Sequence, residues 1–388
     1  MSAALELFQL AAGPSEFIPN LAPGCQYVAC LAWLLHFDIF HLVPISGAIS
    51  YGDLAAAASK RASIDVAIPE ARLRSIIRMV MTSALFRESE QNQVGHSATS
   101  ALLAQDADVH SWASYLSTRS APTALAMTAA HDRFTAASIA KNETAYNVAF
   151  STEKPFFDHL ALDAANMAEF AGYMRNVTTS EAMDVKHLVN GYQWADLGRG
   201  PVVDVGGSTG NAAITLARVF PELTFIVQDL PANAEATLPA DVLSRIVFQG
   251  HDFTQPQPVA GGAVYLLRMI LHDWPDNAAV VILRNLVPVL AKGTARLLIM
   301  DTVMPTPGQV PCSVERVVRV RDMTMMQVFN SHERDLDQWN ALLLAADEGL
   351  RLRQVIAPFG SAMSLLEVEM VGATQEESSE EDIWEISG

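Results

Sequence analysis

The chain has little cysteine, little charge and few basic residues. Its three cysteines in 388 residues, Cys25, Cys30 and Cys312, form neither a disulfide framework nor a CxxC metal pair. A reducing, intracellular setting is the default for such a chain. Only 18% of residues are charged, and 25 Lys and Arg stand against 43 Asp and Glu, a net charge of −18. Proteins that hold nucleic acid or an anionic membrane need the opposite balance, so neither is expected as a partner. The opening MSAALELFQLAAG lacks the basic n-region of a secretory signal. No long unbroken apolar run occurs either. The most apolar early stretch, Cys25 to Val43, is interrupted by Gln26, His36, Asp38 and His41. It reads as a buried helix rather than a membrane span of ~20 apolar residues. A cytoplasmic protein is expected.

What the chain does contain is a hydrophobic half, enough for a sizeable core, at a length that implies two domains or one with an extension. Residues 1–115 have helical periodicity. Within them, 51–61 and 69–86 read as two helices joined by a turn, and 86–98 as a small β-wing turning near Asn92. A helix–turn–helix–wing invites a DNA-binding reading through Arg72, Arg74 and Arg78. The acidic chain and the apolar Met79, Val80, Met81, Leu85 and Phe86 favour packing instead. Residues 116–190 read as helical, with a break at 154–158.

From residue 191 the texture changes to short β-branched runs alternating with helical stretches, which predicts a doubly wound, mostly parallel sheet. A terminal pair of strands around Phe359-Gly360-Ser361 predicts an antiparallel hairpin in an otherwise α/β domain ending near 371. Residues 372–388, with six acids and no base, read as a solvated tail.

Chemistry concentrates at the ends of the expected strands. VVDVGGSTGNA (202–212) is a strand ending at Asp204, then a glycine turn opening a helix whose first N–H groups are unpaired. Gly206, Gly207 and Gly210 do not fit the G-x-G-x-x-G of a nicotinamide site. The next strand ends in Asp229, where a carboxylate can accept both hydroxyls of a ribose or, more plainly, cap a helix. The third ends in His251-Asp252-Phe253, an acid for an exocyclic amine beside an aromatic for a purine face. The fourth leads through Arg268 to His272, which Asp301 and Glu333 could orient as a proton acceptor. Asp276 is expected to cap the helix that follows. His131, near Met127, is a weaker substrate-cavity candidate for which core packing is the plainer reading.

Together these segments resemble the plant-type and fungal S-adenosylmethionine-dependent O-methyltransferases acting on small phenolic or polyketide hydroxyls. The resemblance runs over roughly residues 25–371 and includes LRMILHDWPD, LLIMDTVMP and ERDLDQWNALLLAA. It implies a winged-helix-like dimerisation domain (1–115), a helical linker and substrate-pocket region (116–190) and a class I methyltransferase domain (191–371). It implies S-adenosylmethionine as cofactor, with Asp204, Gly206, Gly207 and Asp229 at its methionine and ribose parts and Asp252 and Phe253 at its adenine. Arg268 holds a place often filled by Lys or Arg. His272 matches the general base, and Asp301 and Glu333 match its orienting acids. Met325, Met326, Phe329 and Asn330 match a helix over a small-molecule acceptor, and a homodimer is implied. Ser208 stands where the family has glycine, and Asp301 is shorter than the Glu of many plant members. No metal is expected, because no cluster has ligand spacing. Some similar fungal proteins bind the cofactor yet catalyse pericyclic cyclisations or dehydrations without moving the methyl. In those the base position tends to hold a cation, whereas His272-Asp273 here favours methyl transfer.

Overall fold

The computed structural model describes residues 2–61, 67–134, 138–197, 200–230, 238–292 and 295–371. The acidic tail lies outside the described residues. The chain divides into two units, one of residues 1–136 and 142–177, the other of 137–141 and 178–388. Among the described residues no helix is long and apolar enough to cross a membrane.

In the first unit, the expected helix pair is Tyr51–Arg61 and Glu70–Met81. The expected hairpin is β2 (Arg87–Glu90) and β3 (Gln93–Gly95), with β1 (Ile49–Ser50) on the other side of β3. Asn92 turns the hairpin at φ 61°, a left-handed conformation that Asn tolerates better than most residues. Leu54, Leu73, Ile77, Val80, Phe86 and Val94 fill the core under it. Arg74 pairs with Glu70, and Arg78 donates to both oxygens of Glu88 at 2.8 and 3.0 Å. Two of the three arginines that invited a nucleic-acid reading are therefore engaged within the unit. The break expected at 154–158 falls at Pro155, which starts the helix Phe156–Leu160.

The stretch expected as a buried helix is a correction. Cys25–Val43 is two helices rather than one. Its first part ends the longer helix Phe17–His36, in which only Leu34 is buried, and its second part is the short helix Ile39–Leu42, where Ile39 and Phe40 are buried with Val43 beyond it. The apolar residues of the longer helix lie all round it, and the unit covers only one face. His131 is a second correction, since it is exposed on the helix Met127–Arg133 rather than packed in a core.

The second unit is the expected α/β domain. Its sheet runs β4 (Val202–Val205), β5 (Phe225–Asp229), β6 (Ile246–Gly250), β7 (Val264–Arg268), β8 (Arg296–Asp301), β9 (Leu350–Ile356) and β10 (Ser364–Met370), in spatial order 6-5-4-7-8-10-9. The first five pair in parallel, and β10 is antiparallel to both β8 and β9. Val202, Val203 and Val205 are buried with Tyr265, Leu267, Leu297 and Ile299, the continuous apolar runs of strands covered on both faces. The chain leaves β4 toward β5 and β6, then returns to β7 on the other side. The crevice at the strand ends between β4 and β7 is thus the topological switch point, where such sheets bind ligands.

Candidate active site

The glycine turn after β4 is shaped by close approach. Gly206 has φ 75°, and a Cβ there would meet Ile270 Cδ1 at 2.6 Å; a Cβ on Gly207 would meet Asp204 Oδ2 at 2.5 Å. Both amides donate to the carbonyl of Gln228, at 2.8 and 3.0 Å. Gly210, at φ 78°, begins the helix Asn211–Val219. Ser208 adopts a left-handed conformation that glycine takes more readily, φ 50°, and its N–H donates to Asp229 Oδ2 at 2.8 Å. Asp229 Oδ1 takes the N–H of Leu230. Asp252 accepts from the Thr254 amide and hydroxyl, which lowers its pKa. Phe253 meets Trp274 edge-on at 5.4 Å.

Asp204 is buried with Oδ2 unpartnered. Burial first of all pushes its pKa up to about 7, against the pull of Arg268. Arg268 donates to the Met183 carbonyl at 2.8 Å and leaves its Nε buried and unpartnered. A turn that admits no Cβ, with an unpaired buried acceptor on one side and an unpaired buried donor on the other, fits a zwitterionic nucleoside cofactor such as S-adenosylmethionine.

His272 lies on the short turn Leu271–Asp273 after β7 and is 4% exposed. Its Nδ1 stands 3.1 Å from Glu333 Oε1 and 3.2 Å from Asp301 Oδ1. Asp301, closing β8, therefore reaches the ring despite being shorter than Glu, and its Oδ2 also takes the His272 backbone N–H at 3.3 Å. The other ring nitrogen, Nε2, has Asp273 at 3.6 Å. Burial opposes a charge on the ring, but Asp301, Glu333 and Asp273 together outweigh it and raise its pKa to about 10. Glu333 is the ionised partner. Burial works against its charge, but His272 and then Arg321 draw its pKa down to about 2. Asp301 shifts upward, mainly through burial. The three side chains converge within 4.8 Å, a grouping of the kind that could hold a metal ion, assembled from segments too far apart for spacing to reveal. Here both acids address the same ring nitrogen.

Sequence reasoning missed two arginines. Arg334, fully buried, donates to the carbonyls of Leu271 and Trp274 and to Asp276 Oδ1, all at 2.7–2.9 Å, clamping the turn that carries His272. Asp276 is accordingly the first residue of its helix, with Pro275 in the cap position, and its carboxylate serves Arg334. Arg321, on the helix Cys312–Phe329, has Nε 3.5 Å from Glu333 Oε1. The only signal for either was a basic residue near an acid already singled out. On the same helix Met326 is 42% exposed, Met325 is half-buried and Phe329 is buried. Asn330 ends the helix and donates to the Ala140 carbonyl at 2.8 Å.

The model of the O-methyltransferase domain family matches residues 133–349. The O-methyltransferase pgmB of Aspergillus terreus is 56% identical over 379 residues, covering 95% of this chain and 84% of its own length. Two solved structures share the fold at TM-score 0.76. One, described as a pericyclic reaction enzyme, is 24% identical and spans 95% of this chain and 92% of its own. The other, OxaC in complex with sinefungin and meleagrin, is 23% identical and spans 95% and 91%. At that identity both speak for the fold alone, so the pericyclic neighbour does not weigh against methyl transfer. Family match and relative agree: the chain belongs to the O-methyltransferase family and is an enzyme whose methyl donor is S-adenosylmethionine.

Proposed function

We propose that the enzyme methylates a hydroxyl of a small aromatic or polyketide-type secondary metabolite, with His272 as general base. The observation that carries this reading is the division of labour on one imidazole. Nδ1 is committed to Glu333 and Asp301, which fix the ring and its tautomer, so Nε2 is the nitrogen that takes the proton from the acceptor hydroxyl. S-adenosylmethionine, when bound, supplies an electrophilic methyl on a sulfonium sulfur. Asp204, Gly206, Gly207 and Asp229 would hold its amino-acid and ribose parts, Asp252 and Phe253 its adenine, and Arg268 its neighbourhood beside Asp204. The chain's own contribution is positioning, worth more than the ~10²–10⁴-fold of the base.

Met325, Met326, Phe329 and Asn330 line the acceptor side. Methionines adapt to flat apolar molecules, and the exposure of Met326 and half-burial of Met325 favour that role over core packing. The resemblance-based division, 1–115 for a winged-helix dimerisation domain, 116–190 for a helical linker and 191–371 for the cofactor domain, stands as part of this reading, as does a cytoplasmic setting. A homodimer is supported by the first unit's uncovered apolar residues: Leu7, Phe8, Leu10, Phe17, Ile18 and Leu21 are each more than half exposed.

Incubating the protein with S-adenosylmethionine and a panel of hydroxylated aromatic polyketides, with mass spectrometry of the products, tests the proposal. A product heavier by one CH₂, methylated at oxygen, is expected. An isomer of the same mass as the substrate would mean cyclisation instead.

A further inference from the structure

Behind His272 the carboxylates outnumber the cations that could balance them. Asp301 Oδ1 and Glu333 Oε1 both point at Nδ1, Asp273 stands 3.6 Å from Nε2, and Asp322 Oδ1 takes the backbone N–H of Glu333 at 3.0 Å. Glu333 Oε2 is buried with no hydrogen-bond partner. One imidazolium cannot neutralise that many acids. The cation in contact with these acids is Arg321, itself only 17% exposed, with Nε 3.5 Å from Glu333 Oε1. Its Nη1 meets the sulfur of Met183, a buried residue whose carbonyl takes Arg268. Arg321 is thus held in place by a contact that offers it no negative charge.

We infer that Arg321 is a positioning residue of the methyl transfer: its guanidinium fixes Glu333 behind His272 and places a positive charge beside the acids that orient the ring. This rests on the reading of His272 as base. The other charged groups facing the cluster are accounted for. Arg268 donates to the Met183 carbonyl and feels Asp204 first and Asp301 less, Lys141 lies over Trp274 beside Asp273, and Arg334 is spent on Asp276 and two carbonyls. His332 is 3.8 Å from Asp276. Arg321 acts on both acids at once, favouring the ionised form of each. A cation beside a group of coupled acids and a base lowers the proton affinity of the whole group. Without Arg321, the cluster should hold its last proton to higher pH, and the fraction of enzyme in which His272 is neutral and able to act as a base should fall.

The test is the pH profile of kcat/KM for the acceptor in the wild-type enzyme, R321Q and R321K. Removing the charge in R321Q should move the rising limb upward by roughly one pH unit or more, a loss of about tenfold or more at pH 7 that shrinks as pH is raised through the limb. R321K keeps the charge and should hold the limb at its wild-type position. A loss in R321Q that is the same at every pH, with the limb unmoved, would reduce Arg321 to a packing residue and overturn the inference. So would a folded R321K whose limb shifts as far as expected for charge removal, and R321K decides the matter alone if R321Q does not fold. A wild-type profile with no limb, or full activity in H272A, would instead defeat the reading of His272 as base.

Discussion

The two halves of the sheet edge solve the same problem, holding carboxylates in place, by different means. On the β4–β5–β6 side the acids rest on backbone. Asp229 takes the N–H groups of Ser208 and Leu230, and Asp252 takes the amide of Thr254. On the β7–β8 side they rest on other charges. Asp301 and Glu333 share one imidazole, and Glu333 leans on Arg321. Backbone donors are local and indifferent to pH. A buried charge cluster is assembled from distant segments, is strongly coupled, and titrates as a unit. The cofactor side therefore depends on the shape of one turn, and the base side on the charge state of its neighbours.

The largest effect that would sharpen this contrast is expected from the acids behind the ring. The double variant D301N/E333Q should lose nearly all that the base contributes, roughly 10²–10⁴-fold in kcat. Either single variant should lose far less, because the second acid still holds Nδ1. Cofactor affinity measured by calorimetry should be nearly unchanged in all three. Equal losses in the singles and the double would mean that only one acid matters.

G207A probes the other side. Its Cβ would sit 2.5 Å from Asp204 Oδ2 and 2.8 Å from Val227 Cγ1, so the loop or Asp204 must move. Cofactor affinity should fall by at least tenfold, and stability by about 1–3 kcal/mol, the usual cost of overpacking. Normal affinity in a folded G207A would break the picture of a turn defined by close approach.

The dependence of stability on pH separates the two sides again. A His272 pKa raised to about 10 stabilises the fold fully below its ordinary value near 6.5, and that contribution is lost as pH rises through 10. Asp204, raised to about 7 by burial, costs stability between about 3.9 and 7 as it ionises. Melting temperature should fall by several degrees between pH 7 and 10 in the wild type and fall less in H272A. Parallel slopes would show that the cluster is not the source. A chelator should leave turnover unchanged, because both acids are engaged with one ring nitrogen.

The smallest effect belongs to S208G. Serine pays the left-handed strain at φ 50° for which glycine has no penalty, so the substitution should stabilise by at most about 1 kcal/mol and leave the Asp229 contact intact. A loss of cofactor affinity would mean the hydroxyl has a role of its own.

The same contrast explains what was legible in the sequence. Strand runs such as VVDVG and FIVQD, the glycine turn and the acids at strand ends are written in consecutive residues, and the mostly parallel sheet with its terminal antiparallel hairpin follows from them. Asp301 and Glu333 could be offered from their residue types as partners for His272, and the family resemblance matched them, but they lie 29 and 61 residues downstream, too far for spacing to join them. Arg334 and Arg321 were invisible as site residues because their roles depend on a fold that brings the helix Cys312–Phe329 and the loop after it against the His272 turn. Cys25–Val43 was misread as one buried helix because its apolar residues say that it should be covered without saying by what or where the helix breaks.

The most direct test of the account is H272A, assayed for methyl transfer at saturating cofactor and, in parallel, for cofactor binding by calorimetry. The prediction is a fall in kcat of roughly 10²–10⁴-fold with a dissociation constant for S-adenosylmethionine within about twofold of wild type. Turnover undiminished in a variant that still binds its cofactor would contradict the assignment of His272 as the base.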